Sequence, residues 1–482
     1  MSNIAVAAPS SSHPGESSKR FLPWLVAVAF FMESLDTTIL NTAVPTISAA
    51  LHIAALSMKA VLASYTLSLA VFIPISGWMA DRFGTRRVFA AAIGLFTLGS
   101  FLCGLSGNVH LLVVCRILQG CGGAMMVPVG RLTLVRTFAK SELLRAMSFV
   151  SIPALVAPML GPIAGGLIVG YLQWRVIFFL NIPIGLAGLV LVYLHLPDYR
   201  QDKTHPLDVV GLILFGSGVA LLSYVLEIFG EHTLGAWEIS GLVAISAILL
   251  TGYGMHARTL AFPLLNLALF RIRTFRASVS GSFFTRLGIG GVPFLLPLLY
   301  QVGLGYTAIE SGLLIMPQAI AAMSMKALMP RLLKRIGYRA VLISNTLILG
   351  GLLMLFATIG LATPVWVIVL QAFLYGAFTS LQYTSMNTLV YADISPEETS
   401  HASSIASTMQ QLSISFGVAT AGLTTALFVP TTGASSAGMI HGIHRALIGL
   451  GILTLVSTVV FRSLKAGDGA DVSQHKVLHL GG

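Results

Sequence analysis

The sequence predicts an all-α integral membrane protein with fourteen transmembrane helices. Of its 482 residues, 56% are hydrophobic and only 9% are charged, whereas soluble domains carry about 25% charged residues. Its apolar stretches are numerous, and most reach the roughly 20 residues needed to cross the hydrocarbon layer of a bilayer. Its basic residues concentrate in alternate connecting segments, which is the pattern of cytosolic loops.

The predicted spans are separated by short polar segments. All five tryptophans lie at span ends, where aromatic side chains favour the membrane–water interface. With a cytosolic N-terminus, all but six of the 28 lysines and arginines fall in cytosolic segments. The net charge of +11 therefore reflects membrane topology, and we expect no nucleic-acid partner. We expect both termini in the cytosol and spans near 22–47, 58–80, 88–107, 109–130, 145–169, 175–196, 208–228, 237–256, 276–301, 308–330, 339–361, 364–388, 402–428 and 441–462.

Two short matches indicate that the chain contains a duplication. Phe30-Phe31 recurs as Phe283-Phe284, and the R-x-G-x-R loop at 82–86 recurs at 335–339, with the same offset of 253 residues. Parallel repeats of six helices are a transporter architecture in which the substrate path lies at the repeat interface. We therefore predict a flexible N-terminal tail (1–20), a first six-helix bundle (21–200), two inserted helices (201–260), a second bundle (261–465) and a flexible C-terminal tail (466–482).

No motif in the sequence indicates an enzyme. There is no G-x-x-x-x-G-K-[ST] phosphate-binding loop, no H-E-x-x-H zinc helix and no G-x-S-x-G nucleophile turn. The three cysteines lack the spacing of metal ligands. We therefore expect no cofactor and no metal site, and uphill transport by this chain would draw its energy from an ion gradient.

The loop after span two has the pattern Gly-x-x-x-Asp-Arg-x-Gly-x-Arg-Arg. Its second glycine permits a tight turn, its acid can pair with a neighbouring helix end, and its arginines hold it at the cytosolic surface. The pattern resembles the signature loop of the major facilitator superfamily, and we interpret it as a conformational latch. A basic loop that only sets topology is the alternative. This latch loop comprises Gly77, Asp81, Arg82, Gly84, Arg86 and Arg87.

Span five carries glycines and a proline inside an otherwise apolar stretch. Small residues let two helices approach closely, and proline bends a helix. The pattern resembles the antiporter motif of drug exporters, with alanine at the position of its first glycine. We expect a hinge and a seal against the second bundle, formed by Ala157, Gly161, Pro162, Gly165 and Gly166.

Spans one and six contain two further patterns. Span one reads L-D-T-T-x-x-N-x-A-x-P at 35–45, and span six reads W-R-x-x-F-x-x-N-x-P-x-G at 174–185. Both resemble signatures of the fourteen-span drug:proton antiporter family within the major facilitator superfamily. The resemblance implies the major facilitator fold and multidrug efflux by proton antiport. It also implies a monomer in a bacterial cytoplasmic membrane, with the lipid bilayer, protons and a small-molecule substrate as partners.

Span one holds the only two carboxylates predicted at membrane depth, Glu33 and Asp36. Three residues apart, they share a helix face, and we expect at least one to gain and lose a proton during transport. Asp36 is the first choice because it lies nearer the middle of the span. Arg116 in span four is costly to bury unpaired and should find an acid; it resembles the span-four arginine linked with proton coupling in the superfamily. Permanent neutralisation of these charges, without a role in transport, is the alternative.

Arg286 is equivalent to Glu33 by the 253-residue offset, and we hypothesise that it faces Glu33 or Asp36 across a central cavity. Other polar side chains in five spans could line this cavity, although hydrogen bonding between helices would equally explain each of them. The cavity candidates are Asn41, Arg286, Tyr300, Gln301, Gln318, Tyr375, Gln382, Tyr383, Asn387 and Gln410.

The main functional hypothesis is a secondary transporter that exports small amphipathic, drug-like compounds in exchange for protons. Two acids against Arg116 and Arg286 leave the predicted interior roughly neutral. Export of an organic anion or metabolite, with Arg286 as its counter-charge, is therefore a second hypothesis. A third, from a different class, is a transporter-like membrane sensor that binds its ligand without turnover.

Overall fold

The computed structural model describes residues 16–138, 140–200, 204–228, 235–395, 398–429 and 436–473, and within these ranges every regular element is a helix. The predicted all-α architecture is thereby confirmed. Most of the two predicted tails, 1–20 and 466–482, lies outside the described residues.

The predicted spans one to eight each correspond to a helix, except that span six is divided in two. A single 3-10 turn, Ala55–Met58, precedes the second helix. The helices are α1 (Glu16–Ala50), α2 (Lys59–Phe83), α3 (Thr85–Leu105), α4 (Val109–Thr137), α5 (Lys140–Tyr171), α6 (Val176–Phe179), α7 (Asn181–His195), α8 (Val209–Ile228) and α9 (Ala236–Thr259).

In the second half, predicted span nine is interrupted at Gly290 and Gly291, because glycine weakens a helix interior. It continues as a short helix and ends in a π-helical turn, Leu299–Gly303. The helices are α10 (Arg273–Ile289), α11 (Val292–Leu298), α12 (Ala308–Ile336), α13 (Tyr338–Phe356), α14 (Val365–Leu389), α15 (Thr399–Ala426), α16 (Ser436–Phe461) and α17 (Ala470–Ser473).

Twelve helical segments of the described chain are long and apolar enough to cross a membrane. The other two predicted spans correspond to α5, whose apolar part is the shorter segment Val156–Tyr171, and to α15, which is rich in Ser, Thr and Gln. Both are long helices packed against several neighbours, so their polar residues need not face lipid. Length and hydropathy therefore support twelve of the fourteen predicted spans.

Two loops that the predicted repeat makes equivalent have the same backbone feature. Gly84 ends α2 with φ of +96°, and Gly337 ends α12 with φ of +79°. Such positive φ angles favour glycine. The two glycines are separated by the same offset as the other matches, which agrees with two copies of one helical unit.

The helices of each half pack mainly on one another. In the first half α1 packs on α5, α4 on α2 and α3, and α7 on α3; in the second half α12 packs on α14, and α16 on α10 and α13. The halves meet where α2 contacts α15 and where α5 contacts α12. We call the end that holds the α1–α2 and α3–α4 connections the outer end, and the end that holds the α2–α3 and α12–α13 connections the inner end.

The two halves are in direct contact at the outer end. Gln301 Nε2 donates to the Thr42 carbonyl at 2.9 Å, and Ser415 Oγ donates to the Ala63 carbonyl at 3.0 Å. One apolar cluster there contains residues of both halves. A second cluster, with residues of α2, α8, α9, α10 and α15, also joins the halves. The halves are therefore held together at the outer end and along the seam between α2 and α15.

The inserted helices lie beside the seam between the halves. α8 packs on both α2 and α15, while α9 packs on α8. At their inner end, Asp208 accepts hydrogen bonds from the amides of Gly211 and Leu264 and shares one of 2.8 Å with His256 Nε2. Burial alone would raise the pKa of the Asp208 carboxyl, but these bonds together hold that pKa below its usual range. Asp208 thus ties α8, α9 and the segment before α10 together.

Candidate functional site

Asp36 lies at the centre of a buried hydrogen-bond network inside the first bundle. Arg116 Nη1 approaches Asp36 Oδ2 at 2.5 Å, and each side chain is 1% exposed. The other carboxylate oxygen accepts hydrogen bonds from Gln119 Nε2 at 2.9 Å and Asn181 Nδ2 at 3.1 Å. Arg116 Nη1 also donates to Gln119 Oε1 at 2.7 Å. The prediction that Arg116 pairs with an acid is confirmed, and that acid is Asp36.

Close helix contacts bring these groups together from four helices. At Gly99, a Cβ atom would lie 2.7 Å from Gln119 Cα, so a glycine in α3 lets α4 approach closely enough to aim Gln119 at α1. Asn181 is the first residue of α7, and its Nδ2 also donates to Ser100 Oγ in α3 at 3.0 Å. The span-one and span-six patterns therefore meet at one carboxylate.

Glu33 is placed differently from Asp36, although it lies one turn away on the same helix. Its side chain is partly exposed, and it makes no ion pair within 4.0 Å among the described residues. Arg131 in α4 is the cation that acts electrostatically on Glu33, and its guanidinium lies 5.4 Å from the Phe30 ring centroid. Arg131 lies just beyond the predicted end of span four at 130, but α4 continues to Thr137.

Arg286 is 2% exposed in α10, and its partners are neutral. Its Nε donates to Ser282 Oγ at 2.8 Å, its Nη2 donates to Asn387 Oδ1 at 3.1 Å, and its guanidinium lies 3.8 Å from the Tyr383 ring centroid. Within the described ranges no carboxylate lies within 4.0 Å of it. The hypothesised bridge from Arg286 to Glu33 or Asp36 is therefore not formed in this conformation.

Three of the cavity candidates are buried among the helices of the second half. Tyr300 is fully buried, and Tyr375 donates to the Ile289 carbonyl at 3.4 Å. Gln382 is fully buried, accepts from Asn345 Nδ2 at 2.7 Å and also donates to a threonine of α13. In this conformation Gln382 and Tyr375 bond to neighbouring helices, which favours the alternative of hydrogen bonding between helices for these two residues.

The other candidates are at least partly accessible. Asn387 is exposed, and Asn41, Gln318, Tyr383 and Gln410 are partly exposed. Gln301 is partly exposed as well, but it joins the two halves at the outer end, as described above. The accessible polar candidates therefore come from α1, α12, α14 and α15.

The small residues of span five face two different neighbours. Cβ atoms at Gly161 and Gly165 would lie 2.2 and 2.5 Å from oxygen atoms of α1, which belongs to the same half. A Cβ at Gly166 would lie 2.6 Å from the Ala308 carbonyl oxygen in α12. The predicted seal against the second bundle thus involves Gly166, whereas Gly161 and Gly165 hold α5 against α1.

The latch loop is fastened within the first half. Asp81 Oδ1 accepts a hydrogen bond of 2.6 Å from Arg136 Nη2 at the inner end of α4. The Arg86 amide donates to Asp198 Oδ1 at 3.0 Å, and a Cβ at Gly84 would lie 2.4 Å from the same oxygen. Only glycine therefore fits at this turn. The remaining members of the loop are exposed: Gly77, Arg82 and Arg87.

The sequence matches the family model described as "Major Facilitator Superfamily" over residues 26–418. It is 43% identical over 411 residues to "Putative multidrug resistance protein MdtD" of Escherichia coli (strain K12), an alignment that covers 85% of this chain and 87% of that protein. The protein of the same name from Shigella sonnei (strain Ss046) is equally similar.

Several solved transporter structures share the fold. The D-xylose–proton symporter superposes with a TM-score of 0.66 at 16% sequence identity, covering 94% of this chain and 99% of that one. The nucleoside transporter NupG superposes with a TM-score of 0.65 at 14% identity, covering 92% and 98%. At such low identity the likeness concerns the fold alone.

Proposed function

Because the chain belongs to the major facilitator superfamily, we propose that it exports small amphipathic, drug-like compounds in exchange for protons by alternating access. The observation that carries the proposal is the Asp36–Arg116 ion pair, buried in the first bundle together with two amide donors. An ionisable group inside a membrane segment is costly and is a functional site by default. The name of the bacterial relatives supports a broad, drug-like substrate range.

Proton uptake at Asp36 would break the charge balance of this network. Once Asp36 is neutral, Arg116 is a buried cation without a counter-charge, which is unfavourable by several kcal/mol. The network can recover this free energy only if the bundle rearranges to give Arg116 water or another partner. Proton binding and conformational change are then coupled, and the coupling is reciprocal.

Glu33 is the second member of the proposed proton pathway. It lies three residues from Asp36 towards the inner end, is partly exposed and has no ion-pair partner among the described residues. A proton released from Asp36 could therefore reach the inner side through Glu33. In this scheme Asp36 couples the proton to the conformational change, and Glu33 exchanges it with water of the central cavity.

Alternating access requires the bundles 21–200 and 261–465 to move relative to each other. Opening the outer end would break the hydrogen bond from Gln301 to Thr42 and separate Gly166 from Ala308. We propose that substrate enters the central cavity from the inner side and leaves when these contacts part. The proton gradient supplies the energy, and no cofactor takes part.

We further propose that the protein acts as a monomer in a bacterial cytoplasmic membrane, with both termini in the cytosol. The exposed arginines of the latch loop, Arg82 and Arg87, lie at the inner end, which agrees with a cytosolic inner side. The bacterial relatives support the membrane assignment.

The test uses purified protein in vesicles with an imposed pH gradient and a pH-sensitive dye inside. We expect lipophilic compounds to trigger proton flux in the wild type and expect Asp36→Asn to abolish it. Glu33→Gln should slow the flux while leaving substrate binding intact. Glu238→Gln is the matched control, because Glu238 only caps the outer end of α9.

Substrate binding without proton flux in the wild type would support the sensor hypothesis instead. Full proton-coupled flux in Asp36→Asn would show that another group carries the proton.

A further inference from the structure

Arg286 is a buried charged group of the second half, and the proposed proton pathway does not use it. Its partners are the Ser282 hydroxyl, the Asn387 amide oxygen and the Tyr383 ring, none of which carries a negative charge. Burying a cation without a counter-charge is strongly unfavourable. Arg116, buried to the same degree, has Asp36. The missing counter-charge at Arg286 therefore needs an explanation.

Several hydrogen-bond donors around Arg286 are unused. Arg286 Nη1 donates to no described group and is not sealed from solvent. Asn387 uses its amide oxygen to accept from Arg286, so its Nδ2 remains a donor on an exposed side chain. The Tyr383 hydroxyl is on a partly exposed residue and bonds to no described group. Guanidinium, amide and phenol donors thus cluster without an acceptor.

The other charges of the two bundles do not supply that acceptor. Asp36 is neutralised by Arg116, and Glu33 lies in the field of Arg131 in its own bundle. Two acids and two arginines sum to zero, so these four groups of the first bundle contribute no net negative charge. Arg286 then leaves an excess of one positive charge, which favours an anionic ligand.

We propose that Arg286, with Asn387 and Tyr383, binds the anionic group of the transported compound, so that small amphipathic carboxylates are substrates. The proposal rests on the proposed function as an exporter and specifies its substrate class. A planar guanidinium can donate to both oxygens of a carboxylate, and the neighbouring amide and hydroxyl add neutral donors. Substrate binding would supply the counter-charge that Arg286 lacks.

The experiment compares two probes of similar size and shape, the anion 2-naphthoate and the neutral 2-naphthamide. Both are tested on the full chain in phosphatidylcholine vesicles that contain no anionic headgroup. Binding is measured for the wild type, Arg286→Gln and Arg286→Lys. Arg445→Gln is the matched control. Arg445 belongs to α16 and, like Arg286, its guanidinium lies over an aromatic ring, that of Phe428. Thermal unfolding of each variant confirms that it is folded.

We expect the wild type to bind 2-naphthoate more tightly than 2-naphthamide. Loss of one charge-assisted interaction should raise the Kd of 2-naphthoate by about 10- to 100-fold in Arg286→Gln and leave 2-naphthamide unaffected. Arg286→Lys should retain part of the preference, and Arg445→Gln all of it. Equal binding of both probes, an unchanged Kd in a folded Arg286→Gln, or no 2-naphthoate binding would overturn the proposal.

Two additional measurements separate this proposal from its premise and from a lipid site. If 2-naphthoate binds through Arg286 but drives no proton flux, the anion site stands and antiport fails. If a lipophilic cation drives proton flux in both wild type and Arg286→Gln while 2-naphthoate does not bind, antiport stands and the anion site fails. If phosphatidylglycerol in the vesicles abolishes 2-naphthoate binding, Arg286 holds a lipid headgroup and the substrate proposal is overturned.

Discussion

Arg116 and Arg286 provide a controlled comparison, because they are equally buried arginines in opposite halves and differ in their counter-charge. Arg116 lies 2.5 Å from Asp36, whereas the described partners of Arg286 are all neutral. We predict that replacing each with glutamine has different consequences. Arg116→Gln should destabilise the protein strongly, and Arg286→Gln should change its free energy of unfolding by no more than about 2 kcal/mol in either direction.

The expected magnitude for Arg116 follows from what its removal leaves behind. Asp36 would remain as a buried carboxylate with only the neutral donors Gln119 and Asn181. Removing one partner of a buried ion pair costs about 3–5 kcal/mol. Asp36→Asn should cost a similar amount, because it leaves Arg116 as the unpaired charge. The double variant removes both charges and should be less destabilised than the sum of the single variants.

For Arg286 two contributions oppose each other. The variant loses two hydrogen bonds from a charged donor, which are worth about 1.5–3 kcal/mol each. It also removes an uncompensated buried cation, whose effective desolvation penalty is several kcal/mol. These contributions are of similar size, so the net change in the free energy of unfolding should stay within about 2 kcal/mol.

The assay is unfolding of purified protein in a single detergent, by heat and by denaturant titration, for the wild type, three single variants and the Asp36→Asn/Arg116→Gln double variant. Measurements are made without added substrate, because an anion at Arg286 would supply a counter-charge and mask the difference. If Arg286→Gln destabilised the protein as much as Arg116→Gln, Arg286 would have a counter-charge of its own. Strict additivity in the double variant would contradict the coupling of Asp36 and Arg116.

Three further predictions concern packing and pH. Gly166→Ala should open the outer end, because the new Cβ would lie 2.6 Å from the backbone of α12. The distance between spin labels at positions 107 and 361, in a cysteine-free background, should then increase. Gly161→Ala is the control and should not change this distance, because its Cβ would meet α1 instead. Gly84→Ala should destabilise the latch loop by about 1–3 kcal/mol, since its φ of +96° suits glycine alone, and protease cleavage near this loop would reveal it. The folded-state pKa of Asp208 is lowered, so the ionised carboxylate stabilises the folded protein above about pH 4, and this stabilisation is lost as the pH falls. Asp208→Asn should remove this acid sensitivity, which unfolding measurements between pH 3 and 7 would show.

The network around Asp36 was largely predictable from sequence. A charge inside an apolar span must find a partner, and Arg116 and the two span-one acids were the principal charges predicted at that depth. The sequence predicted an acid partner for Arg116 without choosing between Glu33 and Asp36, and the structure identifies Asp36. The choice of Asp36 as the proton site followed from depth and stays a prediction. The side of each helix was not predictable, because these spans are apolar around most of their circumference and give little amphipathic signal.

Because the side of each helix was not predictable, the expected positions of several side chains differ from the contacts that they make in the structure. A change of one residue rotates a side chain by about 100° around a helix, so the repeat offset indicated the depth of Arg286 but not the direction of its side chain. For the same reason Tyr375 and Gln382 were expected in a cavity but bond to neighbouring helices. Arg131 was missed because hydropathy predicts where a membrane span ends, whereas α4 continues beyond that point to Thr137.

The two arginines also suggest that the two halves have different functions in transport, one in proton coupling and the other in substrate binding. In the first half, Arg116 is neutralised internally, so a proton on Asp36 is what unbalances it. In the second half, the described partners of Arg286 are neutral, so the proposed anionic substrate would neutralise it. An outgoing monoanion and an incoming proton both move charge in the direction favoured by an inside-negative membrane potential, at about 2.3 kcal/mol per charge per 100 mV. In such an exporter the membrane potential would therefore drive two charge movements in each cycle, that of the proton and that of the substrate. In export of a neutral compound it would drive only that of the proton.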